Sequence, residues 1–170
     1  PQAAGMSVTA EILATWRDPA GPVRRLVANG PREDRALVIL IGACLLLYVA
    51  RLPMLARQAR LDPEVPLDAS MGITLFVMLF VLPLLAYALA FVIHLIVRAT
   101  GRNGAASGAR MALFWAFLAI TPAALLQGLL EALLGPMVVV RIFGVAVFGF
   151  FLWFVGRGLS VAYPRAEGVK

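Results

Sequence analysis

Charged residues punctuate this chain into four long apolar runs. Residues 36–50 are uncharged between Arg35 and Arg51, and residues 71–97 carry no carboxylate, lysine or arginine. Residues 111–130 are interrupted only by Thr121-Pro122, and residues 136–156 hold one charge, Arg141. A helix rises 1.5 Å per residue, so about 20 residues cross a hydrocarbon core of about 30 Å. A segment in lipid must satisfy its own backbone, which leaves helix as the open choice for runs this long. The pattern predicts an all-α bundle of four transmembrane helices at about 35–52, 71–97, 110–131 and 136–157. The first run is short, so Arg35 and Arg51 would snorkel or the helix would continue through Leu52. The second is long enough to need tilt or a kink, and Pro83 near its middle supplies a cause for the kink.

Gly30-Pro31 and Gly135-Pro136 place proline at first helical positions, and Gly101 to Gly104 forms a flexible loop. The connection from Glu131 to Pro136 is short, so the third and fourth spans should form an antiparallel hairpin. The first 34 residues read as a separate segment without the apolar core of a signal peptide. From Ser7, a possible N-cap, Val8, Ile12 and Trp16 recur at intervals of four and stop at Asp18-Pro19. Two readings stay open for this short amphipathic helix. It lies at the headgroup level with Trp16, Arg17, Arg24 and Arg25 toward anionic lipid, or it caps the end of the bundle.

Composition agrees with lipid as the solvent: 62% of the 170 residues are apolar and 14% charged, against about 45–50% and about 25% in soluble domains. The mean hydropathy of +0.91 excludes disorder, and a single cysteine excludes a disulfide scaffold. That residue, Cys44, reads as a small buried hydrophobe, with a reactive thiol as the minor alternative. The formal charge of +6 becomes informative once it is divided by side. Arg17, Arg24, Arg25, Arg32, Arg35, Arg98, Arg102, Arg110, Arg157, Arg165 and Lys170 fall on one face. Arg51, Arg57, Arg60 and Arg141 fall on the other, beside the acidic 62–68 loop. This asymmetry predicts both termini in the cytoplasm, with the tail at 161–170. No basic stripe or aromatic platform supports a nucleic-acid partner.

Ionisable residues inside spans are the first candidates for function, because placing them in lipid is costly. His94 is the only histidine, near the cytoplasmic end of the second span. One imidazole makes no haem or zinc site alone, so a bonded neutral histidine is the simpler reading. Gln127 and Glu131 lie i, i+4 on one helix face, and Arg141 starts the returning helix ten residues later. An Arg141–Glu131 pair that fixes the hairpin is the expectation, with a substrate or ion site as the alternative. Asp62, Glu64 and Asp68 lack EF-hand spacing and read as a solvated loop. No catalytic, cofactor or metal constellation is expected. Packing surface is abundant: Ala112/Ala116, Ala119/Ala123 and Gly128/Ala132 on the third helix, Ala86/Ala90 on the second, and Gly144, Gly149 and Gly156 on the fourth. Pro83 and Pro122 read as kinks, or as openings of a cavity.

Several segments resemble short bacterial membrane proteins of the Yip family, named for Ypt/Rab-interacting proteins. They are Gly30-Pro-Arg-Glu-Asp-Arg-Ala36, Leu61-Asp-Pro-Glu-Val-Pro-Leu67, Gly108-Ala-Arg-Met-Ala-Leu-Phe-Trp-Ala-Phe-Leu118 and Phe151-Leu-Trp-Phe154. The Asp-Leu-Tyr-Gly-Pro and Gly-Tyr elements of eukaryotic relatives are absent, so the resemblance does not imply a Rab GTPase partner. It implies a non-enzymatic, multi-pass bundle of membrane-organising or trafficking character in a bacterial inner membrane, partnered by the bilayer and by other membrane proteins or itself. Two other functions remain open: an accessory subunit of a larger respiratory or photosynthetic complex, and a small oligomeric transporter or channel.

Overall fold

The computed structural model describes residues 8–28, 33–62, 64, 66–102 and 104–164, with Val8 and Thr9 as backbone only. Ser7, Gly30-Pro31, Arg32, Arg165 and Lys170 lie outside them. Helices hold 87% of the described residues, and no strand occurs among them. Two short helices, α1 (Val8–Thr15) and α2 (Gly21–Ala28), precede the long α3 (Glu33–Leu61). Then come α4 (Leu67–Phe76), a π-helical turn (Val77–Val81) and α5 (Leu82–Ala99), followed by α6 (Ala106–Ala119), α7 (Thr121–Leu134) and α8 (Val138–Ala162). Three continuous helices, Glu33–Leu61, Leu67–Ala99 and Val138–Ala162, are long and apolar enough to cross a membrane. The pair α6–α7, bent by 42°, makes a fourth candidate span.

Three elements depart from the sequence pattern for identifiable reasons. The first span does not stop near residue 52: α3 runs through Pro53 to Leu61. Pro53 removes one backbone hydrogen bond, but the extension carries Arg57 to the far end of α7, where its guanidinium donates to the carbonyl of Ala132 at 2.8 Å. Those last-turn carbonyls have no partner within their own helix and favour a cation. The second span takes up Pro83 through a π-helical turn just before it. The Leu82 N–H bonds back to Val77, one residue further than in an α-helix, and the wider turn makes room for the proline ring.

The third span is not one helix over 110–131. It breaks at Ile120, because Pro122 has no N–H for the Leu118 carbonyl. The Thr121 hydroxyl donates to that carbonyl at 2.7 Å. The indole of Trp16 donates to the next one, Ala119, at 3.2 Å. In lipid an unsatisfied carbonyl has no water to turn to, so these two donors make the break tolerable.

The centre of the bundle is α6, where residues 108, 109, 111–116, 118 and 119 are all buried. It packs against α3, α5 and α8, and α1 and α2 close over it. A helix buried all round needs small residues where backbones meet. A Cβ on Gly108 would sit 2.9 Å from that of Ala162, and one on Gly158 would sit 2.9 Å from that of Ala112. The α3 and α7 backbones meet at Gly128, where any Cβ would overlap the Ala50 carbonyl. At one end of the bundle Arg110 pairs with Glu33, joining the starts of α6 and α3.

Candidate functional site

The polar residues of the spans collect at two separate places. At the end of the bundle that holds the α5–α6 loop, α5 turns Pro83, Ala86, Ala90 and His94 inward at helical spacing. His94 Nδ1 lies 2.5 Å from the Tyr163 hydroxyl, which donates to the Ala105 carbonyl at 3.1 Å. With the phenolic proton engaged there, Nδ1 carries the histidine's proton and donates to Tyr163. Tyr163 is fully buried, its ring lies against Gly104, and burial raises its pKa above the ordinary value of about 10. The Ala109 backbone N–H and Arg110 oppose that rise. The triplet ties α5, the loop after it and the end of α8 together.

At the opposite end Gln127, Glu131 and Arg51 come together. Gln127 Nε2 donates to Glu131 Oε1 at 2.8 Å and to the Val140 carbonyl at 3.1 Å. Its Oε1 is buried without a hydrogen-bond partner. The expected Arg141–Glu131 pair does not form. Val140 is buried and turns its carbonyl toward α7, so Arg141, about 100° further round the same helix, faces outward and is exposed. Glu131 Oε2 instead faces Arg51 Nη1 of α3 at 4.0 Å. This long contact counts as an ion pair but exceeds hydrogen-bond distance. Sequence spacing points to Gln127 and Glu131 only. Arg51 reads there as a boundary residue, and its proximity to Glu131 depends on the α3–α7 contact at Gly128.

Two cavities adjoin this cluster. One, of about 330 Å³, lies between α3, α4, the π-turn and α7. The other, of about 300 Å³, reaches from Arg51 and Glu131 to Phe117 and Gly144. Arg51, Met78 and Glu131 line both. The π-turn thus contributes Met78 to each void, and the second is lined by Phe117 and Ala124 from either side of the break that follows Ala119.

Other candidates separate into buried and outward groups. Ala112, Ala116 and Ala119 are buried, Ala123 is half-buried, and Gly144 is half-buried against the Gln127 amide. Gly149 is no packing residue within the chain: it is exposed on α8, and nothing lies within 4 Å of where its Cβ would be. Trp16 is not a lipid-facing anchor. Its indole packs edge-on against Phe154 and beside Phe150, and Thr15 next to it accepts a hydrogen bond from the Trp115 indole at 3.1 Å. The capping alternative describes α1 better, because Ile12 and Thr15 are buried. Arg17, Arg24 and Arg25 are exposed. Among the described residues no group of three His, Cys, Asp or Glu side chains comes together.

His94 and Glu131 thus belong to opposite ends of the bundle and form no common relay. The Arg51–Gln127–Glu131 cluster combines an unpaired buried amide oxygen with two charged side chains that line open volume. No family model, curated protein or solved structure matches this chain, so its resemblance to the Yip family rests on the sequence segments alone.

Proposed function

We infer that this is a non-enzymatic, multi-pass membrane protein of the Yip type, acting through helix–helix and protein–protein contacts in membrane organisation or trafficking-like processes. We place it in a bacterial inner membrane with both termini in the cytoplasm. One observation carries the reading: the polar side chains of the spans mostly serve as ties between helices. Arg57 holds α7, His94 and Tyr163 hold α5 to α8, Gln127 joins α7 to α8, and Trp16 holds α1 to the α6 break. Buried polar groups used in this way define register and partner geometry. Outward, α8 presents Gly149 and Gly156 beside exposed Ile142, Val145 and Trp153, a face on which another helix can approach closely.

A photo-crosslinking residue at Gly149 tests this in native membranes. A single discrete adduct, either with a second copy or with one partner protein, is expected. Adducts with lipid alone would sink the reading, and a stoichiometric set of larger subunits would favour the accessory-subunit alternative. The cavities beside Arg51 and Glu131 favour a second reading, a small oligomeric transporter. Reconstituted liposomes check it: solute flux that is lost in a Glu131→Gln variant supports transport, and flux indifferent to that change removes the role of Glu131.

A further inference from the structure

The hydrogen-bonding capacity around Glu131 does not close within the chain. Both hydrogens of Gln127 Nε2 are in use, toward Glu131 Oε1 and the Val140 carbonyl, and this fixes the amide orientation. Its Oε1 is left buried and unpaired. Glu131 Oε2 has Arg51 at 4.0 Å, beyond hydrogen-bond reach. Arg51 carries five N–H donors, its side chain is 58% exposed, and it makes no hydrogen bond to a described residue. Arg57, the next arginine on the helix, is occupied by the end of α7. Glu131 and Arg51 therefore line the same open volumes, and Gln127, whose own Oε1 is buried, holds Glu131 Oε1 and leaves Oε2 free.

The complement of that arrangement is a group with both N–H donors and an anionic oxygen. Net charge narrows it further. Arg51 and Glu131 already balance each other, so an occupant that is neutral overall keeps the site balanced, whereas a net anion or cation leaves an uncompensated charge. The walls narrow it again. Leu47, Met78, Leu82, Phe117 and Val147 line the inner cavity, and Ile73, which is 67% exposed, lines the outer one. A mixed lining of this kind, with apolar walls and few polar groups, suits an amphiphile.

We propose that Arg51, Gln127 and Glu131 bind a zwitterionic primary-ammonium headgroup, that of an aminophospholipid of the ethanolamine class. The ammonium donates to Glu131 Oε2, which Gln127 positions by holding Oε1, the phosphate accepts from Arg51, and an acyl chain follows the apolar wall. A water-soluble ammonium zwitterion shares the headgroup chemistry without the chain. The site holds whether or not the protein moves a solute, so it is independent of the transport reading.

Native mass spectrometry of the full chain, offered equal amounts of phosphatidylethanolamine, phosphatidylcholine and phosphatidylglycerol with identical acyl chains, tests the proposal. Phosphatidylethanolamine should be retained about tenfold over the other two. Choline has no N–H to donate, and glycerol supplies no cation. Gln127→Leu and Arg51→Gln should each abolish the preference, while Arg60→Gln, an exposed change on the same helix, should leave it intact. Gln127 also ties α7 to α8, so Arg51→Gln is the variant that reads the site without removing that tie. Competition by phosphoethanolamine or glycine at millimolar concentration would assign the site to a soluble zwitterion and overturn the lipid assignment. Equal retention of ethanolamine and choline lipids, preference for phosphatidylglycerol, or a preference unchanged in Arg51→Gln would overturn the proposal.

Discussion

Single glycines discriminate the inward and outward faces of the bundle. At Gly128 an added methyl would meet the Ala50 backbone, which cannot rotate away as a side chain can. Gly128→Ala should therefore lower stability by about 3 kcal/mol, the upper end of ordinary overpacking, read as thermal unfolding in detergent. Gly149→Ala adds the same methyl into open space and should stay within about 0.5 kcal/mol of the parent. Both glycines are visible in the sequence as small residues in a span. Which of them meets another backbone is not, because that depends on how α3 lies on α7. Gln127 and Glu131 show the same division. Their common face follows from i, i+4 spacing, but Arg51 is brought to them from 80 residues away in sequence, while the nearer Arg141 is turned outward by one step of the helix.

At the scale of elements, the bent α6–α7 pair depends on a donor from outside it. Trp16→Phe keeps the aromatic contact with Phe154 but removes the indole N–H from the Ala119 carbonyl, and should cost about 1 kcal/mol in the same unfolding measurement. Pro122→Ala returns an N–H to the Leu118 carbonyl, which Thr121 otherwise satisfies. The 42° bend should then relax, and spin labels at half-buried Arg102 and exposed Leu133 should move apart. A distance unchanged by this substitution would mean that packing against α3 and α8, rather than the missing donor, sets the bend. Pro122 announces a disturbance in the sequence. Its size and the origin of its compensating donor come from packing between elements about 100 residues apart.

Across the whole molecule, the ties at His94 and Glu33 gather the starts of α3 and α6 and the ends of α5 and α8 at one end. Cysteines placed at Arg102 and Asp62 should label from opposite sides of the membrane. Labelling of Arg102 from the cytoplasm is the outcome that the basic asymmetry predicts, and buried Cys44 should stay silent. The Tyr163 latch adds a pH dependence. Burial raises the folded-state pKa of its hydroxyl, so the latch contributes fully below pH about 10 and is lost as pH rises above the unfolded value. Unfolding midpoints should fall above that pH, and Tyr163→Phe should be less stable at neutral pH with a smaller further decline.

Helical class and the presence of three to four helices of membrane length follow from local sequence, because the bilayer fixes the length of an apolar helix. Helix periodicity likewise places Ala86, Ala90 and His94 on one face before any neighbour is known. The extension of α3, the π-turn at Val77–Val81, the docking of Trp16 and the meeting of Arg51 with Gln127 and Glu131 required the tertiary structure. Each of these supplies a hydrogen-bond donor, a backbone contact or a counter-charge from a distant segment, and no local pattern encodes which distant segment will arrive.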